Sequence, residues 1–278
     1  MTTDQHTARA IDAAAALLAD RTIAVATGAG ISTDSGIPDY RGEGSTATSP
    51  MNIQQFTGDP DYYRRYWMGG HLGWERFSTV RPNRGHRMLS RWEVSGRAVG
   101  CITQNVDGLH LRAGSARVVE LHGAMHRVRC LRCDQIYARE SIEEGIRRSL
   151  PQPMTGAPGG ELRPDGDVAG VDIPGFEPPY CSRCAGLLKP DLVYFGEFIP
   201  PRRFALASAL VTEADALLVV GSSLVVNSGI RLVALAQRLA KPVVIINRGA
   251  TRADARAAVK IDADASDTLE ALDRIWQS

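Results

Sequence analysis

The chain has 278 residues, 44% hydrophobic and 23% charged, enough apolar side chains for one large domain or a large one with a smaller insert. A formal net charge of +1 leaves no global field to hold nucleic acid or an anionic membrane surface. The longest apolar run falls far short of the roughly 20 residues that a membrane span requires.

The N-terminal stretch MTTDQHTARAIDAAAALLAD lacks a basic n-region and carries Asp4, Asp12 and Asp20. It reads as a polar tail entering an Ala-rich helix over 8–19, with Ile11, Ala15 and Leu18 on one face, and not as a signal peptide. A cytoplasmic location without disulfides is therefore expected. TIAVAT (22–27), AVGCITQN (98–105) and RVVELHG (117–123) are candidate strands. ADALLVVGSS (214–223) and KPVVIINRG (241–249) are near-continuous Val, Ile and Leu, the pattern of a parallel sheet covered on both faces. GIRLVALAQRLA (229–240) joins them as a β-α-β unit, and SDTLEALDRIWQ (266–277) reads as the last helix. The expected fold is α/β: a Rossmann-like parallel sheet built from 1–44, 98–127 and 187–278, with two insertions forming a smaller domain. Residues 45–97 read as mainly helical. Residues 128–186 form the second insertion, and within it 151–180 holds seven prolines and six glycines, which forbids a regular core element there.

Four of the five cysteines form two pairs, Cys130-x-x-Cys133 and Cys181-x-x-Cys184. Each pair can offer two thiolates to one ion, and four satisfy tetrahedral Zn2+. A closed four-sulfur site leaves no open position, so such a zinc ribbon would be structural, with one ion per chain. A pair of redox motifs or four unrelated core cysteines are the rival readings. Arg127, Arg129, Arg132 and Arg139 suggest a ribbon touching nucleic acid, but a solvated basic edge suits the near-zero net charge better. Cys101 reads as a buried free thiol.

Gly28-Ala29-Gly30 follows a strand, and glycine there lets a backbone approach a pyrophosphate. The GxGxxG fingerprint is not met, because position 33 is Thr. Asp39-Tyr40-Arg41 then adds an acid, an aromatic and a cation that a plain dinucleotide turn does not need. A second polar group, Thr103-Gln104-Asn105-Val106-Asp107, stands at a strand end, where ligands of open α/β sheets bind. His122 closes the next candidate strand and is placed to serve as a general base.

Taken together and in order, GAGISTDSGIPDYR, TQNVDGLH, LHG, the two CxxC pairs, KPDLVYFGE, GSSLVV and IN resemble the sirtuins, the NAD-dependent protein deacylases. The long gap between the CxxC pairs, with RPDGDV inside it, further resembles the class II branch, which includes the mitochondrial sirtuin associated with lipoamidase and ADP-ribosyl transfer activities. The resemblance implies that NAD, consumed as a co-substrate, and an acyl-lysine protein substrate meet between the two domains. Gly28, Ala29, Gly30, Asp39, Tyr40 and Arg41 would border the nicotinamide ribose and phosphates. Gln104 and Asn105 would bond the ribose and a water, Asp107 the nicotinamide carboxamide, and His122 would be the base. Gly221, Ser222, Ser223, Asn247, Arg248, Gly249 and Ala265 would line the phosphate and adenosine end. Val193, Phe195, Gly196 and Glu197 would form an edge strand gripping the peptide, with Leu224, Val225 and Val226 opposite.

The implied reaction transfers the acyl group to ADP-ribose and releases nicotinamide. Mono-ADP-ribosyl transfer and, in another class, a non-catalytic NAD-sensing zinc-ribbon module are the alternatives. Tyr40 stands where many sirtuins have Phe. Gly70 and Gly73 stand where desuccinylating sirtuins carry a Tyr-x-x-Arg pair, so a poor fit to succinyl-lysine and room for bulkier acyl groups are expected. A monomer that binds neither nucleic acid nor membrane completes the expectation.

Overall fold

The runs IAVAT, AVGCIT, ALLVV and VVII have no polar face to give to water, and each becomes a strand buried on both sides. The computed structural model describes residues 3–39, 52–150 and 173–278. In chain order its helices and strands begin with α1 (Thr3–Leu18), β1 (Ile23–Thr27), α2 (Ile53–Gly58), α3 (Pro60–Thr79), α4 (Arg84–Val94) and β2 (Ala98–Thr103). They continue with the one-turn α5 (Leu109–Arg112), β3 (Val118–Glu120), β4 (Gly123–Cys130), β5 (Ile136–Ala138), α6 (Arg139–Ser149) and β6 (Leu188–Leu192). The last are α7 (Pro201–Glu213), β7 (Ala216–Val220), α8 (Asn227–Arg238), β8 (Val243–Ile246), β9 (Val259–Ile261) and α9 (Ala265–Gln277). No helix among the described residues is long and apolar enough to cross a membrane.

Six strands form a parallel sheet in the order β3-β2-β1-β7-β8-β9. Strand period separates the two faces. Ile23 and Val25 of β1 pack under α1, α4 and α9, with Leu18, Met88, Trp92 and Leu269. Ala24 and Ala26 face α7 and α8, with Leu210, Val211 and Leu232. The order reverses between β1 and β7, so a crevice opens beyond their carboxyl ends.

At that reversal the turns after β1 and β7 touch. The Gly28 amide donates to Val220 O at 3.1 Å, and the Gly30 amide to Gly221 O at 2.9 Å. A Cβ at Gly28 would lie 2.7 Å from Gly221 O, and one at Gly221 only 2.4 Å from the Ile31 nitrogen. Asn83, the cap of α4, donates from Nδ2 to Ile31 O at 2.7 Å and fixes the same turn from the other side.

A second, antiparallel sheet, β5-β4-β6, packs with α2, α3 and α6 around Phe56, Tyr63, Trp67, Val128 and Leu188. Phe56 meets Tyr63, Tyr66 and Tyr194 edge-on, with ring centroids 5.0–5.2 Å apart. The two sheets join at Gly123, where φ is +86° and a Cβ would fall 1.7 Å from Asp191 O. Only glycine lets the chain pass from β3 by His122 into β4 there.

Several expectations shift. The candidate strand 117–123 ends at Glu120, and a new strand starts at Gly123. The helical insertion expected over 45–97 divides by packing: α2 and α3 belong to the small lobe, whereas Met88, Leu89 and Trp92 of α4 lie in the core of the large sheet. The Pro/Gly-rich loop 151–180 is described only from 173, as are Asp39 and not Tyr40 or Arg41 at the first loop; 151–172 and 40–51 lie outside the described residues. Residues 173–180 form no helix, yet Ile173 and Phe176 are buried, and Arg64 on α3 donates to both of their carbonyls.

Gly221→Ala is expected to cost on the order of 2–4 kcal/mol, a backbone clash added to a left-handed residue. Gly36→Ala shares the positive φ (+85°) but meets nothing within 4 Å, and about 1 kcal/mol is expected. Urea midpoints compare the two, and equal losses would show that the crossing is not tight.

Candidate active site

The polar group after β2 is hung on the crossing of the two turns. The Gln104 amide donates to Thr27 O at 3.0 Å, so the chain leaving β2 stays beside β1. Asn105 Nδ2 donates to Gly28 O at 3.0 Å and to Ser32 Oγ at 3.1 Å. Ser32 Oγ in turn donates to Asp107 Oδ2 at 2.7 Å, and Asp107 Oδ1 accepts from the Leu109 amide at 2.8 Å. Burial pushes the Asp107 carboxyl above the ordinary range, while these two donors oppose the rise. Gln104 Nε2 reaches Ser222 Oγ at 3.4 Å, linking the group to the turn after β7.

His122 stands between the sheets with both ring nitrogens engaged. Nδ1 lies 3.0 Å from Gln104 O, which can only accept, so Nδ1 carries the proton in the neutral ring. Nε2 is then the acceptor and lies 3.0 Å from Ser228 Oγ. Burial, aided by the Arg203 charge, holds the imidazole pKa below its ordinary 6.5, against the opposing bond to Gln104. His122 is therefore neutral at pH 7 and able to take a proton.

Gly28 and Gly30 approach the crevice as expected, but their amides already donate to the β7 side. Those two bonds bring the two backbones together. Asp39 is half-buried at the end of the described loop. Beyond β8, Asn247 Nδ2 donates to Arg248 O at 2.7 Å, Gly249 N to Asp262 Oδ1 at 2.8 Å, and Arg248 pairs with Asp264 at 3.1 Å. Ala265 opens α9 with its methyl in the core, so its side chain is not at the crevice. Arg252 ties this loop to the turn after β7: its amide donates to Ser223 O at 3.0 Å and its Nη1 to Asn227 Oδ1 at 2.8 Å.

The expected edge strand over 193–197 is a tight turn. Val193 N donates to His122 O, the Tyr194 amide to Glu197 Oε2 at 2.7 Å, and Gly196 has φ +85°. Phe195 O accepts from Ile53 N at 3.0 Å, so α2 already pairs with part of this segment. Phe195, Val225 and Val226 expose apolar side chains, 58%, 47% and 44% accessible, on the two expected walls. Leu224 does not: it is buried in the core under α8, and only its backbone remains for a ligand.

The four paired cysteines come together. Their Sγ atoms lie within 4.8 Å of one another, with Cys130–Cys184 at 3.5 Å and Cys133–Cys181 at 3.7 Å. Zinc–sulfur bonds of about 2.3 Å in a tetrahedron place sulfurs about 3.8 Å apart, so the set fits the ion. Both knuckles turn alike. The Asp134 amide donates to Cys130 O, the Ala185 amide to Cys181 O, and both donor residues have φ of 57°.

Three buried groups differ from or were absent from the sequence reading. Arg139, expected on a solvated basic edge, is instead fully buried between the rings of Trp67 and Trp74 and pairs with Glu143 at 2.5 Å, which also meets His71. A Cβ on Gly70 would lie 3.2 Å from Arg139 Nη2, so the room expected beside Gly70 is taken by a guanidinium. Ser32 is the hinge between Asn105 and Asp107; it sits inside the glycine-rich motif, but nothing in its spacing marks it. His86 and His110 pack with ring centroids 4.8 Å apart and planes inclined at 58°, and His110 Nε2 lies 2.9 Å from Thr27 Oγ1. Burial lowers their pKa values to about 2 and about 4.

A doubly covered parallel sheet with a polar cluster at its switch point and a four-cysteine lobe inserted beside it is the architecture of a dinucleotide-binding α/β protein with an inserted small domain. The profile of the Sir2 family matches residues 28–228. The chain is 48% identical over 260 residues to NAD-dependent protein deacetylase 1 of Mycobacterium avium, covering 92% of each chain. It is 42% identical over 256 residues to the human mitochondrial NAD-dependent protein lipoamidase sirtuin-4, covering 90% of this chain and 81% of that one. A solved Sir2 structure with a p53 peptide and NAD+ superposes with a TM-score of 0.73 at 30% identity, over 96% and 97% of the two chains. Another, with deacetylated p53 peptide and 3'-O-acetyl ADP-ribose, gives 0.76 at 28%, over 95% and 98%. The chain belongs to the Sir2 family.

Chelation of the metal, or Cys181→Ser, is expected to lower the melting temperature by about 10 °C or more, because ligation energy is folding energy for such a lobe. Calorimetry and metal analysis of the same sample check this. For the His86–His110 pair, the unfolded chain binds protons below about 6.5 while the folded rings stay neutral. Stability is thus fully present above 6.5 and falls as the pH drops, toward about 4 for His110 and about 2 for His86. Urea midpoints should decline from pH 6.5 to 5 in the native chain, and less so when both are replaced by Gln.

Proposed function

We propose that this chain is an NAD-dependent protein-lysine deacylase that moves an acyl group from lysine to ADP-ribose and releases nicotinamide. The observation that carries the reading is one contiguous constellation at the switch point: Gln104, Asn105, Asp107 and a neutral His122, braced by Ser32 and the glycine crossing. A protein that only sensed NAD would need no buried, neutral base. The relatives named as deacetylases and lipoamidases, and the Sir2 structures that hold peptide with NAD+ or with acetyl ADP-ribose, support it.

Each residue has a task its geometry allows. Asn105, its amide fixed on Gly28 O and Ser32, presents its free oxygen to the ribose side. Asp107, pinned by two donors, holds the nicotinamide amide. Nicotinamide leaves before His122 acts, and His122 then takes the proton of a ribose hydroxyl at Nε2. The four-cysteine zinc supplies no chemistry and holds the lobe in shape. The acylated protein segment lies between Phe195 and the Val225–Val226 turn, met through backbone bonds that tolerate many sequences. The clip from Arg252 to Ser223 and Asn227 keeps that turn in place.

Incubation with NAD and a panel of acyl-lysine peptides tests the reading. Acyl-ADP-ribose and free nicotinamide are expected in equal amounts; ADP-ribosylated protein in their place would favour transfer to protein, and no nicotinamide release would sink both readings. His122→Ala is expected to lose about 100-fold or more in acyl-ADP-ribose formation. The pH profile of kcat/KM should hold its plateau down through the ordinary imidazole value of 6.5 and fall only below it, because the folded pKa is lowered.

A further inference from the structure

Ser228 stands in the first turn of α8, where a small hydroxyl residue would ordinarily cap the helix. It caps nothing: Val226 is the cap residue, and no side chain bonds the first amides. The hydroxyl is buried, 4% exposed for the residue, and its Oγ lies 3.0 Å from His122 Nε2. It does not turn back to a carbonyl of the preceding turn, the usual fate of a serine inside a helix. The one nitrogen of His122 that can accept a proton is thus met by a side chain that neither folding nor capping requires.

We propose that Ser228 is the positioning residue of the base: it holds the His122 ring between Gln104 O and α8 and bonds Nε2 in both of its protonation states. The proposal rests on His122 as the base. In the resting state Nδ1–H donates to Gln104 O and the serine O–H donates to Nε2. A ribose hydroxyl displaces the serine from that lone pair; its O–H bond breaks, the electron pair stays on the ribose oxygen as it bonds to the acyl carbon, and the proton forms Nε2–H. The serine keeps its own proton throughout, and its oxygen then accepts from the imidazolium. A bond from a charged donor is stronger than the neutral one it replaces. Ser228 therefore raises the proton affinity of a ring that its surroundings depress.

Those surroundings are known from every side. Arg203 of α7 acts on the ring and is itself paired with Asp191 of β6 at 2.7 Å. Glu120 at the end of β3 pairs with Arg127 of β4 at 2.8 Å. Asp107 beyond β2 is bonded to Ser32. From α8 the nearest charge is Arg231, which lies over the Phe204 ring at 3.7 Å. The positive end of the α8 dipole also faces Nε2 and disfavours a cation there. The Gln104 carbonyl favours the charged ring from Nδ1, and the hydroxyl is the group placed to favour it at Nε2.

The test uses the full chain with Ser228→Ala, Ser228→Thr and His122→Ala side by side. Two quantities are read: acyl-ADP-ribose formation against pH, and exchange of labelled nicotinamide into NAD in the presence of acyl-peptide, which precedes the proton transfer. Ser228→Ala is expected to lower kcat for deacylation about 10-fold, the worth of one hydrogen bond. Its acid limb should move down by about half a pH unit, with exchange within about twofold of the native rate and with recovery in Ser228→Thr. A native pH profile and rate in Ser228→Ala would overturn the proposal, as would an equal loss of exchange, which would mark general damage to the site. Undiminished deacylation in His122→Ala would instead overturn the base itself, whatever Ser228 does.

Discussion

The site depends on one close approach: the turns after the two central strands lie so near each other that neither Gly28, Gly30 nor Gly221 has room for a methyl group. The carbonyl of Gly28 that this packing presents is the anchor for Asn105, Asn105 and Asp107 converge on Ser32, and Gln104 reaches across to Ser222. Every polar group at the switch point is therefore referred to the same pair of backbones. A sheet of this type always opens a crevice where strand order reverses. Here the crevice has a floor that is closed by peptide groups, and its chemistry stands on that floor.

Low dielectric is the second ingredient. Asp107 and His122 are both buried, and burial moves both toward their neutral forms. For the imidazole that is the form that accepts a proton. Hydrogen bonds then do what charges do elsewhere: the Gln104 carbonyl sets the tautomer, and donors to Asp107 fix its direction. A dense group of charges, Arg203 with Asp191, Arg127 and Glu120, lies near His122 and links β3, β4, β6 and α7. It sets the field on the ring without touching Nε2.

The large sheet was legible because its strands are continuous apolar runs bounded by glycine, and the metal site because paired cysteines have few other uses. The catalytic candidates were legible through the ordered motifs, which a single glycine turn would not have supplied. What could not be read were contacts between distant residues. Ser228 looks like a helix-start serine, and only the fold brings it to His122. Gly70 looks like open space, and only the fold fills it with Arg139. The edge strand that the family resemblance implied at 193–197 is a turn here, folded by the left-handed Gly196 and the Glu197 carboxylate. Helix α4 separates from α3 not by composition but by which sheet its apolar face meets.

Strand β4 begins at Gly123, one peptide bond from His122, and ends on the metal-binding Cys130. Its ladder with β6 is interrupted between Ala124 and Val128, and in that gap the Met125 amide grips Val106 O at 2.9 Å, inside the loop that carries Asp107. One eight-residue span therefore ties the four-cysteine cluster, the loop of Asp107 and the turn at His122 to each other. The small lobe and the turn at His122 thus share one strand, so the packing of the cysteine end and the placement of the imidazole are set by the same backbone.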